Sequence, residues 1–178
     1  AAAELFYREG VGATGIDAIT AHAGVAKMSL YNNFSSKSEL VKAYLEARLE
    51  EWHGLFENRI AKASTPRERL LAVFDSYVDH ADLAYGRGFR GCGLLNAAAE
   101  LPFGHAGRST VAFQKEEVEQ LFRHYLREMK PDGGAVIDET AEHLSFVLEG
   151  AMARAGLDGH DGRLKAARRI AVSIMDRL

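Results

Sequence analysis

The sequence predicts an all-α chain. Only three prolines interrupt its 178 residues. Alanine, leucine, glutamate and arginine, all strong helix formers, are plentiful. Apolar residues recur at three- and four-residue spacing, and no segment shows the two-residue alternation of a half-buried strand. Apolar residues make up 47% of the chain, enough for a sizeable core and too many for a disordered segment.

Taken in order, the elements begin with a helix from Ala1 to Glu9, which puts Ala2, Leu5 and Phe6 on one face and meets a stop at Gly10. Thr14-Gly15-Ile16-Asp17 has capping-box spacing, with Asp17 where Glu or Gln is commoner, and opens a helix to about His22. Ala23-Gly24-Val25 reads as a turn, followed by a helix from about Ala26 to Asn32. Ser36-Lys37-Ser38-Glu39 is a second capping box, opening a long helix through about Ala61 with Val41, Tyr44, Leu45, Trp52, Leu55 and Phe56 at helical spacing. Thr65-Pro66-Arg67-Glu68 combines a Thr cap, Pro at the first helical position and Glu three residues past the cap. The helix it starts carries Leu70, Leu71, Phe74, Tyr77, Val78 and Ala81 on one face. Four glycines between Gly86 and Gly93 predict a loop. Leu94 to Leu101 is a short helix ended by Pro102, and His105 to Met129 a long one closed by Pro131-Asp132-Gly133-Gly134. Asp138 to Ala155 and Asp161 to Leu178 complete a set of nine helices without internal repeat. The expected organisation is a small head, residues 1–36, and a body, residues 37–178, led by the linking helix 37–61.

Several function classes drop out. No run approaches ~18 apolar residues, so no membrane span is expected. The single cysteine, Cys92, can build neither an internal disulfide nor a multi-cysteine zinc site, and a reducing, cytoplasmic setting is expected. Between two glycines it reads first as a small loop residue and only second as a reactive thiol. The seven histidines (22, 53, 80, 105, 124, 143 and 160) never fall four residues apart, and no nucleophile elbow, zinc-protease motif or phosphate loop occurs. No enzyme, cofactor or metal is therefore expected. The chain starts at Ala1, without Met and inside a helix, so it reads as trimmed, with a preceding signal or basic arm left open.

Net charge is −3, and residues 1–50 hold five Lys/Arg against six Asp/Glu. Any nucleic-acid contact must then rest on a few well-placed groups rather than on bulk attraction. Residues 14–37 supply such a placement. A helix-turn-helix needs apolar residues at the helix crossing and a glycine where the turn goes left-handed. Gly24 meets the second demand, and Ile16, Ile19, Ala23, Val25 and Leu30 are expected at the crossing. The outer face of the second helix then presents Lys27, Met28, Ser29, Tyr31 and Asn32, with Asn33 just beyond, to a major groove.

Residues 23–40, A-G-V-A-K-M-S-L-Y-N-N-F-S-S-K-S-E-L, resemble the DNA-binding signature of the tetracycline-repressor (TetR) family. The resemblance reaches back through Leu5-Phe6 and Gly10, and is most specific at Gly24-Val25, Leu30-Tyr31, Phe34 and Lys37. It implies that Lys27, Met28 and Ser29 read base edges, that Tyr31, Asn33 and Lys37 hold phosphates, and that Leu30 and Phe34 are core. The chemistry agrees: lysine donates to guanine O6 or N7, methionine meets a thymine methyl, and a hydroxyl suits either. Two positions depart from the pattern. Ala26 stands where Ser or Thr usually caps the recognition helix, a loss of about 1 kcal/mol. Thr20 replaces a usual Ala.

The resemblance further implies a homodimer on double-stranded DNA with a near-palindromic operator, controlled by a small-molecule effector held in the body. Repression is the usual outcome and activation the other. The segment 91–100, with Asn96 and an Ala-Glu pair, resembles a stretch of one subgroup of the family. Candidates for the effector site are Trp52, Phe56, Phe74, Tyr77, Phe113 and Phe146, with Asn96 and His143 as polar anchors; for any single aromatic, simple core filling is the commoner reading. Leu164, Ala167, Ala171, Ile174 and Leu178 repeat at 3,4 spacing, and Gly150 and Ala151 precede them, so this pair of helices is the expected dimer contact, internal packing being the rival reading. A head that contacts protein rather than DNA is the alternative that the weak basicity favours.

Overall fold

A computed structural model describes residues 1–83 and 88–178. Gly86, expected in a loop, lies outside the described residues. Among those described, nine helices and no strand occur: α1 (Ala2–Glu9), α2 (Ile16–Ala23), α3 (Lys27–Tyr31), α4 (Lys37–Ile60), α5 (Pro66–Asp82), α6 (Gly93–Glu100), α7 (Ala106–Met129), α8 (Ala135–Asp158) and α9 (Gly162–Met175). The all-α expectation holds, element by element. The largest boundary difference is α8, which begins three residues before the expected Asp138 and ends at Asp158, where Gly159 takes a φ of 75°.

Start signals fared unequally. Thr65 and Glu68 form the complete reciprocal capping box that their spacing predicts, with Pro66 in the first turn. At Ser36 half of a box forms: the Ser36 hydroxyl accepts from the Glu39 amide, while the Glu39 carboxylate turns to the Ser35 amide and hydroxyl. The expected box at Thr14 does not form. Gly15 is the N-cap of α2, and the buried Thr14 hydroxyl donates instead to the carbonyls of Gly10 (2.6 Å) and Leu5 (3.3 Å).

The chain divides into two compact units, residues 1–50 with 92–112 and residues 51–91 with 113–178. This differs from the sequence-based boundary at residue 36, because α6 joins the head through contacts with α1. The first unit is built on Leu5, Phe6, Tyr7, Ile19, Leu30, Val41, Tyr44 and Leu45, with Leu94, Ala97 and Leu101 from the α6 region, all buried. Phe6 and Tyr44 meet at 5.5 Å between ring centroids. The second unit is centred on Trp52, Phe74, Tyr77, Phe122, Leu126, Leu144, Leu148 and Met152. Within it α9 packs against both α8 and α5, and Arg168 holds Asp75 through two hydrogen bonds of 2.7 and 3.1 Å.

That packing corrects one expectation. Leu164, Ala167 and Ala171 are at most 2% exposed within the single chain. The regular seam of α9 faces its own fold, so these three have no surface left to share with a second copy. Ile174, Leu178 and Ala151 are half-buried and Gly150 is exposed.

Candidate nucleic-acid interface

Gly24 sets the geometry of the head. Its φ of 66° and ψ of 29° lie in the left-handed region that glycine enters without a Cβ clash. The Gly24 amide donates to the Ala21 carbonyl (3.3 Å) and the Val25 amide to the Thr20 carbonyl (3.1 Å). This paired pattern is a Schellman motif, and it satisfies the last carbonyls of α2 while turning the chain into α3. The turn therefore matches the sequence expectation. The crossing is narrower than expected. Ile19 and Leu30 are buried and Ile16 is half-buried, but Ala23 is exposed and Val25 is 47% exposed. The left-handed turn carries residues 23 and 25 outward, and an apolar surface of Ile19, Leu30, Phe34 and Leu40 lies beneath them.

α3 has five residues and starts at Ala26 with no side-chain cap, as its residue type implies. Its outer face is open. Residues 21–29 are all exposed, Met28 to 71% and Tyr31 to 42%, while Leu30 is buried at 8% and anchors the helix from below. Asn32 and Asn33 are exposed as well. The Asn33 side-chain amide donates to the Ser29 carbonyl at 2.8 Å, closing the end of this short helix. Lys27 Nζ pairs with Asp17 at 2.8 Å, and that hydrogen bond holds the lysine pKa above its ordinary value, so it stays cationic. Both partners are exposed, at 53% and 83% of their side chains. An exposed pair of this kind contributes little, so Lys27 can leave it for a base edge at small cost. Lys37 opens α4 and reaches the Gly12 carbonyl at 3.4 Å. Phe34, expected as core, is half-buried.

Two members of this surface escaped the sequence reading. Asp17 was read as a helix-capping residue and instead holds Lys27. His22 joins Glu4 at 2.8 Å across α1 and α2. A contact ten or eighteen residues apart has no periodic signature, which is why spacing did not expose it.

The expected effector residues separate into two groups. In the second unit Trp52, Phe74 and Tyr77 are buried. Trp52 stacks on the half-buried Phe56 at 5.5 Å and meets Tyr77 edge-on at 6.0 Å. Phe74 stacks on Phe122 at 5.3 Å. Phe113 and Phe146 are instead 69% and 63% exposed, and His143 is exposed too. Asn96, in the first unit, is likewise exposed. These four lie at the surface of the single chain. The polar groups inside the second unit are others: Gln114, 1% exposed, donates to the Tyr77 hydroxyl at 3.3 Å, and Lys115 pairs with Glu149 at 2.9 Å. The Gln114 carbonyl oxygen and Trp52 Nε1 are buried without a hydrogen-bond partner among the described residues. No group of three or more His, Cys, Asp or Glu among the described residues could hold a metal ion. No described helix is long and apolar enough to cross a membrane.

Residues 1–44 match the family model of bacterial regulatory proteins, tetR family. The HTH-type transcriptional activator FasR of Mycolicibacterium smegmatis is 35% identical over 79 residues, which cover 44% of this chain and 36% of that protein. The shared stretch thus spans little more than a third of FasR. The HTH-type transcriptional repressor KstR2 of Rhodococcus jostii is 28% identical over 84% of this chain and 86% of its own length. The crystal structure of a tetR-type transcriptional regulator from Streptomyces avermitilis is 30% identical, covers 98% of this chain and 94% of that one, and superposes with a TM-score of 0.70. These relatives are regulators rather than enzymes, and the likeness to KstR2 and to the Streptomyces avermitilis regulator runs through the helical body as well as the head. From the glycine-centred turn through to the last helix, the chain belongs to the TetR family of bacterial regulatory proteins.

Proposed function

We propose that the protein is a sequence-specific DNA-binding repressor that acts as a homodimer and is released from its operator by a small-molecule effector. The observation that carries this reading is the outer face of α3, where Lys27, Met28, Ser29 and Tyr31 stand exposed while Leu30 alone turns inward. Met28, 71% exposed beside Lys27 and Ser29, offers this face an apolar group that suits a thymine methyl. Lys27, Met28 and Ser29 read base edges, and Tyr31, Asn33 and Lys37 hold phosphates. Repression follows KstR2, which matches over most of its length, in preference to the activator FasR, which matches over a third.

The dimer forms over the outward faces of α8 and α9, since the inward seam is occupied. Phe146, Gly150, Ala153 and Leu157 make an exposed stripe along α8, and Ile170 and Ile174 line the open side of α9. The effector sits by the Trp52, Phe56 and Tyr77 cluster, where it satisfies the Gln114 oxygen and Trp52 Nε1. Whichever way the Gln114 amide is turned, one of its ends needs a partner from outside the chain. Trp52 is the only tryptophan, so its fluorescence reports occupancy of this region. For release, the effector must bind the DNA-incompetent state more tightly.

Selection from a randomised duplex pool tests the reading. The expected result is an enriched, near-palindromic sequence. Tyr31→Ala with Lys37→Ala should then weaken binding at least tenfold and reduce the slope of log K against log salt by about 2, near 0.9 for the Lys37 cation lost from each head of the dimer. Unchanged affinity removes the assigned contacts. A pool that yields no enriched sequence favours a head that binds protein, the reading for which the excess of acidic over basic residues in the first fifty speaks.

A further inference from the structure

α6 ends on Glu100, the position where a helix dipole disfavours a carboxylate. The side chain does not point along the helix into water. It reaches the loop between α1 and α2, where its two oxygens accept from the Val11 amide (3.2 Å) and the Gly12 amide (2.5 Å). Two of the three glycines of this loop, Gly10 and Gly12, are shaped around it. A Cβ at Gly10 would stand 2.6 Å from one Glu100 oxygen, and a Cβ at Gly12 would stand 2.9 Å from the other. The remaining sides of the loop are held as well. Lys37 Nζ donates to the Gly12 carbonyl and the Thr14 hydroxyl to the Gly10 carbonyl. The base of the clamp is fixed in turn, because Arg108 at the start of α7 donates to the Ala98 and Leu101 carbonyls at the end of α6.

We propose that Glu100 is a positioning residue for DNA binding: its carboxylate clamps the Val11 and Gly12 amides, fixing the α1–α2 loop to α6 and so setting the pose in which α2 and α3 meet a duplex. The inference rests on the DNA-binding reading of the head. Charge-assisted bonds from a carboxylate to backbone amides are among the stronger hydrogen bonds, and two of them share one rigid carboxylate. A head freed from the clamp spends part of its time in other poses, and affinity falls in proportion to the competent fraction. α6 also leads back, through residues 88–92, toward the regulatory unit. A shift or unwinding at the end of α6 is therefore felt directly by the loop that opens the helix-turn-helix.

Gly12 offers an independent variant. Its φ is not in the left-handed region, and among the described residues beyond its chain neighbours the Glu100 oxygen is the only atom an added Cβ would meet within 4 Å. Gly12→Ala should thus push the carboxylate away and leave the backbone in place. In the full chain, Glu100→Ala should speed hydrogen exchange at the Val11 and Gly12 amides roughly tenfold, and lower affinity for the duplex enriched from the random pool by roughly three- to tenfold. Gly12→Ala should lower affinity by a similar factor, and the double variant should lose no more than either single one. Glu100→Gln, which keeps one strong acceptor, should recover part of the loss. A role confined to stability would lower the unfolding midpoint and give additive effects. The clamp is overturned if the parent binds the duplex and both single variants keep its affinity, or if the two losses add. If the parent enriches no duplex at all, the DNA-binding reading fails, and the exchange rates of the two amides still decide whether the clamp exists.

Discussion

A Cβ added at Gly24 would meet no atom of the described residues beyond its chain neighbours within 4 Å, yet the residue's φ of 66° lies where L-residues are strained. Gly24→Ala should therefore destabilise by about 1–2 kcal/mol through backbone strain alone. The urea midpoint should drop with an unchanged slope, and an equal or higher midpoint would contradict the left-handed turn. Glu68 illustrates a charge at the same scale. Hydrogen bonds from the Ser64 and Thr65 amides hold its pKa below the ordinary 4.5. The unfolded chain protonates first as pH falls, so the cap contributes fully above about 4.5 and is lost as pH drops through the depressed folded value. Stability of Glu68→Gln and of the parent should accordingly differ at neutral pH and converge in strong acid, as followed by circular dichroism in urea. The Thr65 cap could be read from the sequence because its partner is three residues away. The Asp17–Lys27 pair could not, because a local capping rule offered Asp17 a more obvious role.

Two helical glycines look alike in sequence and differ in what surrounds them. An added Cβ at Gly54 in α4 meets nothing within 4 Å. At Gly156 in α8 it would stand 2.7 Å from the Gly91 amide nitrogen and 2.8 Å from the Arg90 carbonyl carbon. Gly54→Ala is expected to stabilise by about 0.5–1 kcal/mol through helix propensity. Gly156→Ala is expected to destabilise by about 1–3 kcal/mol, since backbone rather than a flexible side chain must move. Thermal unfolding of the two variants should shift in opposite directions, and a neutral Gly156→Ala would mean that segment 90–91 does not pack there. The same gap between pattern and environment explains α9. Its 3,4 repeat announces a closely packed helix, but a repeat does not name its partner, and here the partners are α5 and α8 of the same chain.

Over the whole molecule, the apolar surface that remains is the test of assembly. Phe146 and Leu157 on α8 are 63% and 88% exposed and Ile170 on α9 is 48% exposed. An exposed stripe of this kind marks a contact surface more often than a free one. Ile170→Glu should move the protein from dimer to monomer in sedimentation experiments while helix content stays unchanged. A dimer of parental affinity would place the interface elsewhere. On the proposed reading, in which two heads engage one duplex, the same variant should also weaken operator binding. The fold class, the sequence of helices and the glycine-centred turn before α3 were all legible in the residues. The unit division was not: α6 and the start of α7 belong with residues 1–50, a grouping made by contacts some ninety residues apart. The sequence by itself determined what is local, namely where helices start and stop, where the chain turns at Gly24, and which short helix carries the Lys27-Met28-Ser29 face. Those features follow from backbone torsions, caps and periodicity within a few residues. Only the tertiary structure decided that Asp17 holds Lys27, that the α9 seam is used internally, and that Glu100 reaches the α1–α2 loop, because hydrogen bonds and close packing depend on distance in space, and separation along the chain does not fix that distance.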